Sequence, residues 1–155
     1  MRSGRRLAVD VGKVRIGLAI SDFHGILASP LQNVARQNEL ADTIALINAA
    51  IADFDLLEIY VGLPISMAGN NTASTQDAIE IARAIADATS VEVRMIDERL
   101  TTVSASAALR SSGKNAKEGR KVIDQIAATM ILEQALALEK NGTEHPGQPI
   151  GDHIG

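Results

Sequence analysis

Four carboxylates in this chain stand where an ordinary surface acid would not. Asp10 lies inside an apolar run, with Leu7, Ala8, Val9 and Val11 around it and Gly12 after it. Asp97 and Glu98 close a second apolar run, Val91–Ile96, immediately before Arg99. Asp124 sits four and seven residues ahead of Ala128 and Ile131, on one stripe of a segment with helical period. Each has a plain explanation when taken alone: a turn-forming Asp at a strand end, a surface turn paired locally with Arg99, and an acid near a helix N-terminus. A carboxylate among apolar neighbours, however, needs a charge partner or a metal.

Brought to one place, these groups would form a site for a hard cation. Mg²⁺ takes oxygen ligands, keeps several waters and borrows substrate oxygens, so a few carboxylates suffice. Mn²⁺ suits the same donors. Two such ions about 4 Å apart would activate an attacking water and stabilise a leaving oxygen. Neither His nor Cys is needed. The chain has no cysteine, and its histidines, His24, His145 and His153, lie in a turn and in the tail without a partner at ligand spacing. The basic positions Lys114, Lys117, Arg120 and Lys121 cluster just before Asp124. They read either as a solvated helix start or as a phosphate-contacting patch, to which Arg15 and Arg99 would add.

The elements that would position these residues follow from the hydrophobic period. Arg5–Val11 and Arg15–Ser21 read as strands joined by a short glycine-containing turn, hence as an antiparallel hairpin. A third strand falls within Ile26–Val34, where Pro30 marks an edge or a bulge. Leu40, Ile44, Ile47 and Ile51 recur at helical spacing, which predicts a helix over about 38–53. Leu56–Val61 is a buried strand, and Gly62-Leu63-Pro64 opens a loop that could approach a phosphate backbone. Ser74 with Asp77 resembles a capping box for the next helix, which runs through Ala78, Ile81, Ala82 and Ile85. Val91–Ile96 is a fifth strand, and Thr101 or Thr102 caps a helix to about Arg110. After a basic linker, Ser111–Glu118, the last helix spans Gly119–Lys140 with Ile123, Ala127, Met130 and Ile131 inward, stopped by Asn141-Gly142.

This order predicts an α/β fold whose mixed five-stranded sheet has three antiparallel strands first, then βαβ units, flanked by helices. If strands one, four and five are parallel neighbours, their C-terminal ends share one sheet edge, the usual place for a site in open α/β sheets. At 155 residues the chain makes one domain over 1–142, with a Gly-, Pro- and His-rich tail over 143–155 expected to be disordered. The absence of cysteine excludes disulfides and thiol chemistry. No run approaches the length of a membrane span, so a soluble, cytoplasmic protein is expected. The net charge of −4 and pI near 5.3 leave no global attraction for nucleic acid, so a phosphate-binding surface would be local.

Four stretches together resemble a known family: Ala8–Asp22 (AVDVGKVRIGLAISD), Tyr60–Gly69 (YVGLPISMAG), Met95–Thr102 (MIDERLTT) and Val122–Leu132 (VIDQIAATMIL). In that order they are similar to the YqgF family, also called RuvX, of RNase H-like proteins related to the RuvC resolvases. The resemblance spans about Leu7 to Leu138. It implies an RNase H-like fold, a bacterial cytoplasmic nuclease that matures the 5′ end of pre-16S rRNA, or a Holliday junction resolvase acting on branched DNA. The family's acidic positions fall on Asp10, on the Asp97-Glu98 pair and on Asp124. Glu98 is favoured over Asp97 as the metal ligand, Asp97 being held in reserve, because adjacent strand-end side chains point to opposite faces. The loop after Gly62-Leu63-Pro64 departs from the family's pattern, reading Met67-Ala68-Gly69-Asn70-Asn71 where an Asp and then Gly-Thr are common.

Two rivals belong to other classes. Asp10-Val11-Gly12 also resembles the first-strand motif of actin- and hexokinase-type phosphotransferases, but those enclose a nucleotide between two domains and this chain supplies one. A binding module without catalysis would recognise nucleic acid or a ribosome-assembly partner and cut nothing. A monomer or weak homodimer is expected, a two-fold dimer being the form suited to a four-way junction.

Overall fold

The computed structural model describes residues 1–100, 116–142 and 145–153, with residues 100, 116–125, 152 and 153 described as backbone only. Strands β1 (Arg5–Val11), β2 (Arg15–Ser21) and β3 (Ala28–Ala35) are followed by helix α1 (Leu40–Ile51) and strand β4 (Leu56–Leu63). Helix α2 (Ala73–Ala88), strand β5 (Glu92–Asp97), helix α3 (Ala116–Lys140) and a short strand β6 (Gln148–Pro149) complete the order. The expected helix from Thr101 or Thr102 to Arg110 lies outside the described residues.

The strands form one mixed sheet in the order β3-β2-β1-β4-β5-β6. β1 pairs antiparallel with β2, and β2 with β3. β1, β4 and β5 are parallel, so their C-terminal ends lie together. β3 is an edge strand, and its register with β2 shifts between Gly17 and Ala19, opposite the stretch that contains Pro30. A residue without an N–H is tolerated at both kinds of position.

Strand alternation divides the core in two. Leu7, Val9, Ile16, Leu18, Ile59, Val61, Val93 and Met95 face α1 and α2. Ala8, Ala19, Tyr60 and Ile96 face the other way, against Ala128, Ile131, Leu132, Ala135 and Leu136 of α3. That second face is lined by small residues at its centre, which lets α3 lie close over β1 and β2. Both faces of β1 and β4 are covered, so these strands read as near-continuous apolar runs.

Three expectations need correction. The capping box of α2 is made by Thr72 and Thr75 rather than by Ser74 and Asp77. Asp77 instead pairs with Arg36, which also donates to the Gly12 carbonyl. The sheet has six strands, because the tail expected to be disordered folds back. β6 pairs antiparallel with β5, and the Arg94 guanidinium donates to the backbone carbonyls of His145, Pro146 and Gly147. A nearly buried Arg on an edge strand supplied donors that this polar segment satisfies, and composition alone does not reveal them.

Candidate active site

Helix α3 covers the face of the sheet on which Arg6, Ala8 and Asp10 alternate along β1, and Glu58, Tyr60 and Gly62 along β4. Asp10 lies near the C-terminal end of β1, directly opposite Gly17 in β2. Glu98 follows the last residue of β5, Asp97, whose register partner in β4 is Leu63. Asp10 and Glu98 thus come from strands separated by β4, and their carboxyl groups nevertheless come close enough to influence each other's ionisation. Adjacent strands stand about 4.8 Å apart, so the contact bridges roughly twice that.

Gly62 makes the bridge possible. A Cβ at this position would collide with the Glu98 carboxyl oxygen, would lie 2.9 Å from Glu98 Cδ and would lie 2.6 Å from Ile131 Cδ1. The Glu98 side chain therefore lies across β4 in space that only glycine leaves open. Sequence reading treated Gly62 as the start of a loop, whereas it is a strand residue whose missing side chain houses a neighbour's carboxyl group.

Electrostatics separate the two adjacent acids. Burial pushes the Glu98 carboxyl above the ordinary carboxylate range; its interaction with Asp10 opposes this and the negative charge of Asp97 adds to it. Two ionised carboxylates so placed repel each other, which favours a proton on one of them or a cation between them. Asp97 points elsewhere. Arg99 donates to it from Nε and Nη2, the latter at 2.6 Å, and holds it below the usual range. Asp97 thus has a local cation while Glu98 has a second acid.

Asp124 lies on α3, where its backbone position continues the stripe of Ala128, Ile131 and Ala135, all fully buried. The direction of α3 brings that end toward the carboxyl pair: Ile131 stands over Gly62, while Glu139, two turns further on, bonds Arg6 at the N-terminal end of β1. Lys117, Arg120 and Lys121 lie on the same opening turns of α3, and Lys114 lies outside the described residues. Arg15 opens β2 on the face of Asp10, at the same end of the sheet. Arg99 stands beside the loop after β4, with Nη1 3.7 Å from where a Cβ on Gly69 would be, and Gly69 has a φ of +85°.

The opposite end of the sheet carries a charge cluster that sequence reading missed. Arg2 forms ion pairs with Glu58 and Glu139 at 2.9 and 2.6 Å, and Arg6 pairs with Glu139 at 2.5 Å. Tyr60 donates its hydroxyl to Glu58. Burial opposes ionisation of Glu58, but the hydrogen bonds from Arg2 and Tyr60 outweigh it and lower its pKa to about 2. His145, given no partner in the sequence reading, sits with Glu58 and Glu92 so that one ligand atom from each lies within 4.8 Å of the others. This group could hold a metal ion, although Glu58 is already engaged by Arg2. No sequence spacing connects residues 2, 58, 139 and 145; only the fold does.

A mixed sheet of this topology, with an acidic pair at the C-terminal ends of its parallel strands, defines an RNase H-like nuclease, an enzyme that hydrolyses phosphodiester bonds. The chain belongs to the RuvX family: the family model described as "RuvX: Holliday junction resolvase" matches residues 4–138. A Leifsonia xyli protein named "Putative pre-16S rRNA nuclease" is 51% identical over 155 residues, covering all of this chain and 99% of that protein. A protein of the same name from Streptomyces coelicolor is 44% identical over 97% of this chain and 90% of its own length. Among solved structures, RuvC of T. thermophilus in complex with a Holliday junction substrate superposes with a TM-score of 0.56. It is 16% identical, covering 94% of this chain and 99% of that one, which is a likeness of fold. No helix among the described residues is long and apolar enough to cross a membrane.

Proposed function

We propose that this nuclease is metal-dependent and works in the 5′-end maturation of pre-16S rRNA, with Asp10, Glu98 and Asp124 as the metal ligands and Asp97 outside the set. The observation that carries the reading is the placement of Glu98 over Gly62, beside Asp10 on the neighbouring strand. Two acids in contact in a half-buried site are stable together only with a shared proton or a bound cation. The donors are all carboxylate oxygens, which suits Mg²⁺ or Mn²⁺ and would suit a softer ion poorly. When bound, one or two such ions would supply an activated water and charge stabilisation at the phosphate.

The chain's own groups do the rest. The Asp10 and Glu98 carboxyl groups, once deprotonated, hold negative charge at the C-terminal strand ends. Gly17 leaves the β2 side of Asp10 without a side chain, and Arg15 stands on the same face of that strand to orient a phosphodiester. The basic positions Lys114, Lys117, Arg120 and Lys121 contribute local positive charge to a chain whose net charge is −4, while the charge of Arg99 is balanced by Asp97. The names of the relatives support the rRNA role, and with it a cytoplasmic setting. The family description and the fold likeness to RuvC favour one second reading, cleavage of four-way DNA junctions, which would call for a homodimer rather than a monomer.

The test is to offer the protein a precursor rRNA 5′ leader and a four-way DNA junction side by side in Mg²⁺. Cleavage of the RNA with an intact junction supports the maturation role. Symmetric junction cleavage with intact RNA moves the assignment to a resolvase. Binding to either without cutting in Mg²⁺ or Mn²⁺ leaves the non-catalytic module as the better reading.

A further inference from the structure

A cavity of about 350 Å³ opens at Asp97 and Arg99, between the ends of β4 and β5, helix α3 and the returning C-terminal segment. Its lining includes Asp97 and Arg99, the residues on either side of Glu98. Buried Ile96 and partly buried Leu138 give it apolar walls. Gln134 and Gln148 bring two carboxamides, and among the described residues neither side chain has a hydrogen-bond partner. β6 pairs only with Arg94 and Met95, so beyond Met95 the outer edge of β5 has no strand partner among the described residues.

We propose that this cavity receives a nucleobase of the bound strand, next to the phosphate that the carboxyl pair would address; this rests on the nuclease reading above. Size comes first, since small-molecule sites begin near 300 Å³, enough for one base and too little for a folded element. Charge comes second. The Asp97–Arg99 ion pair, 2.6 Å long, leaves the cavity with no net charge, which suits a neutral ring and disfavours a phosphate. Chemistry comes third. Each carboxamide offers a donor and an acceptor side by side, the pattern needed to read a base edge, and apolar walls take the ring faces. The position of Asp97 and Arg99 then ties the base to the reaction. A strand whose phosphate lies at Glu98 has an adjacent nucleotide within reach of the cavity, so the site sets sequence preference beside the cut.

Binding of short single-stranded RNAs carrying 2-aminopurine at one position at a time tests this, with the same RNAs labelled by fluorescein at the 5′ end. Fluorescein anisotropy reports binding of the strand, and 2-aminopurine brightens when its base leaves the stack. The wild-type protein in EDTA, where no metal supports cutting, should brighten the analogue at one or two positions only. Leu138→Trp, which fills the cavity, should abolish that brightening and weaken binding roughly tenfold. Gln134→Leu, which keeps side-chain size at a partly exposed helix position, should leave the melting temperature unchanged and flatten the preference among bases. Brightening that Leu138→Trp leaves intact, or RNA bound by wild type with no position brightened, overturns the proposal. An anisotropy that never rises for any RNA overturns the nucleic-acid reading itself, and the two failures are thereby told apart.

Discussion

Glu98 reaches Asp10 across a strand that carries neither of them. β4 lies between β1 and β5, and the Glu98 carboxyl group passes over it at Gly62, the one position there whose side chain would block the way. The pair is therefore a property of three strands, and its geometry depends on a residue that takes no part in the chemistry.

Replacing Gly62 by Ala should accordingly cost activity out of proportion to stability. The added methyl meets Glu98 and Ile131, and overpacking of this kind costs about 1–3 kcal/mol. Displacing a site carboxylate by about 1 Å costs on the order of a hundredfold in rate. Thermal unfolding should show a folded protein with a modestly lowered Tm, and cleavage should fall by about two orders of magnitude. A folded Gly62→Ala variant with wild-type cleavage contradicts the role given to this gap.

The metal-free protein should be stabilised by removing the acid that the site forces together. The Glu98 carboxyl titrates above its unfolded value, so the native state binds the extra proton and stability falls as pH rises through the folded pKa. In EDTA at pH 7, Glu98→Gln should therefore melt a few degrees higher than wild type, a gain of about 0.5–2 kcal/mol. The difference should shrink as the pH is lowered through the raised folded pKa of Glu98. A Glu98→Gln variant that melts lower than wild type in EDTA at pH 7 would show that the pair is not strained.

The charge cluster at the other end of the sheet makes the opposite prediction. Glu58 is held at about pKa 2, so its contribution is complete above its unfolded pKa and is lost as pH falls through the folded value. Arg2→Ala leaves Glu58 and Glu139 buried with fewer donors, and breaking such a pair costs about 3 kcal/mol at neutral pH. The loss should be largest at neutral pH and should narrow between about pH 4 and pH 2. Urea unfolding across that range is the measurement, and a deficit independent of pH would exclude Glu58 as the linked group.

The folded tail hangs on Arg94. Replacing it by Leu removes three hydrogen bonds to the carbonyls of His145, Pro146 and Gly147. Hydrogen exchange at Met95 and Gln148 should quicken by at least tenfold, with global stability lowered by about 1–3 kcal/mol. Unchanged exchange at both positions would mean that the β5–β6 pairing does not depend on this residue.

Much of this architecture was legible in the residues. The hydrophobic period located β1, β2, β4, β5, α1 and α2 to within a few positions, because each buries a long apolar stripe. The alternation rule sends the adjacent side chains of Asp97 and Glu98 to different surroundings, without deciding which of them binds a metal. The ion pair of Asp97 with Arg99 and the burial of Glu98 follow from that separation. What escaped had no local signature. β6 is two residues long and is created by donors on Arg94. The cap at Thr72 and Thr75 lies two residues from the Ser74–Asp77 pattern, and Asp77 is engaged by Arg36, a partner 41 residues away in sequence. Gly62 looked like punctuation because glycine more often ends a strand than makes room within one. The Arg2–Glu58–Glu139 cluster joins positions that are distant in sequence, which only the crossing of α3 over β1 and β4 brings together.

The central claim is that Asp10 and Glu98 form a metal-dependent hydrolytic centre while Asp97 does not belong to it. The most direct measurement is cleavage of a precursor rRNA 5′ leader by wild type, Asp10→Asn, Glu98→Gln and Asp97→Asn, each in Mg²⁺, Mn²⁺ and EDTA. The account predicts cutting by wild type that EDTA abolishes, loss of cutting by at least a thousandfold in Asp10→Asn and Glu98→Gln, and cutting by Asp97→Asn within about tenfold of wild type. Full metal-dependent activity in a folded Asp10→Asn or Glu98→Gln protein, or wild-type cutting undiminished by EDTA, would contradict it.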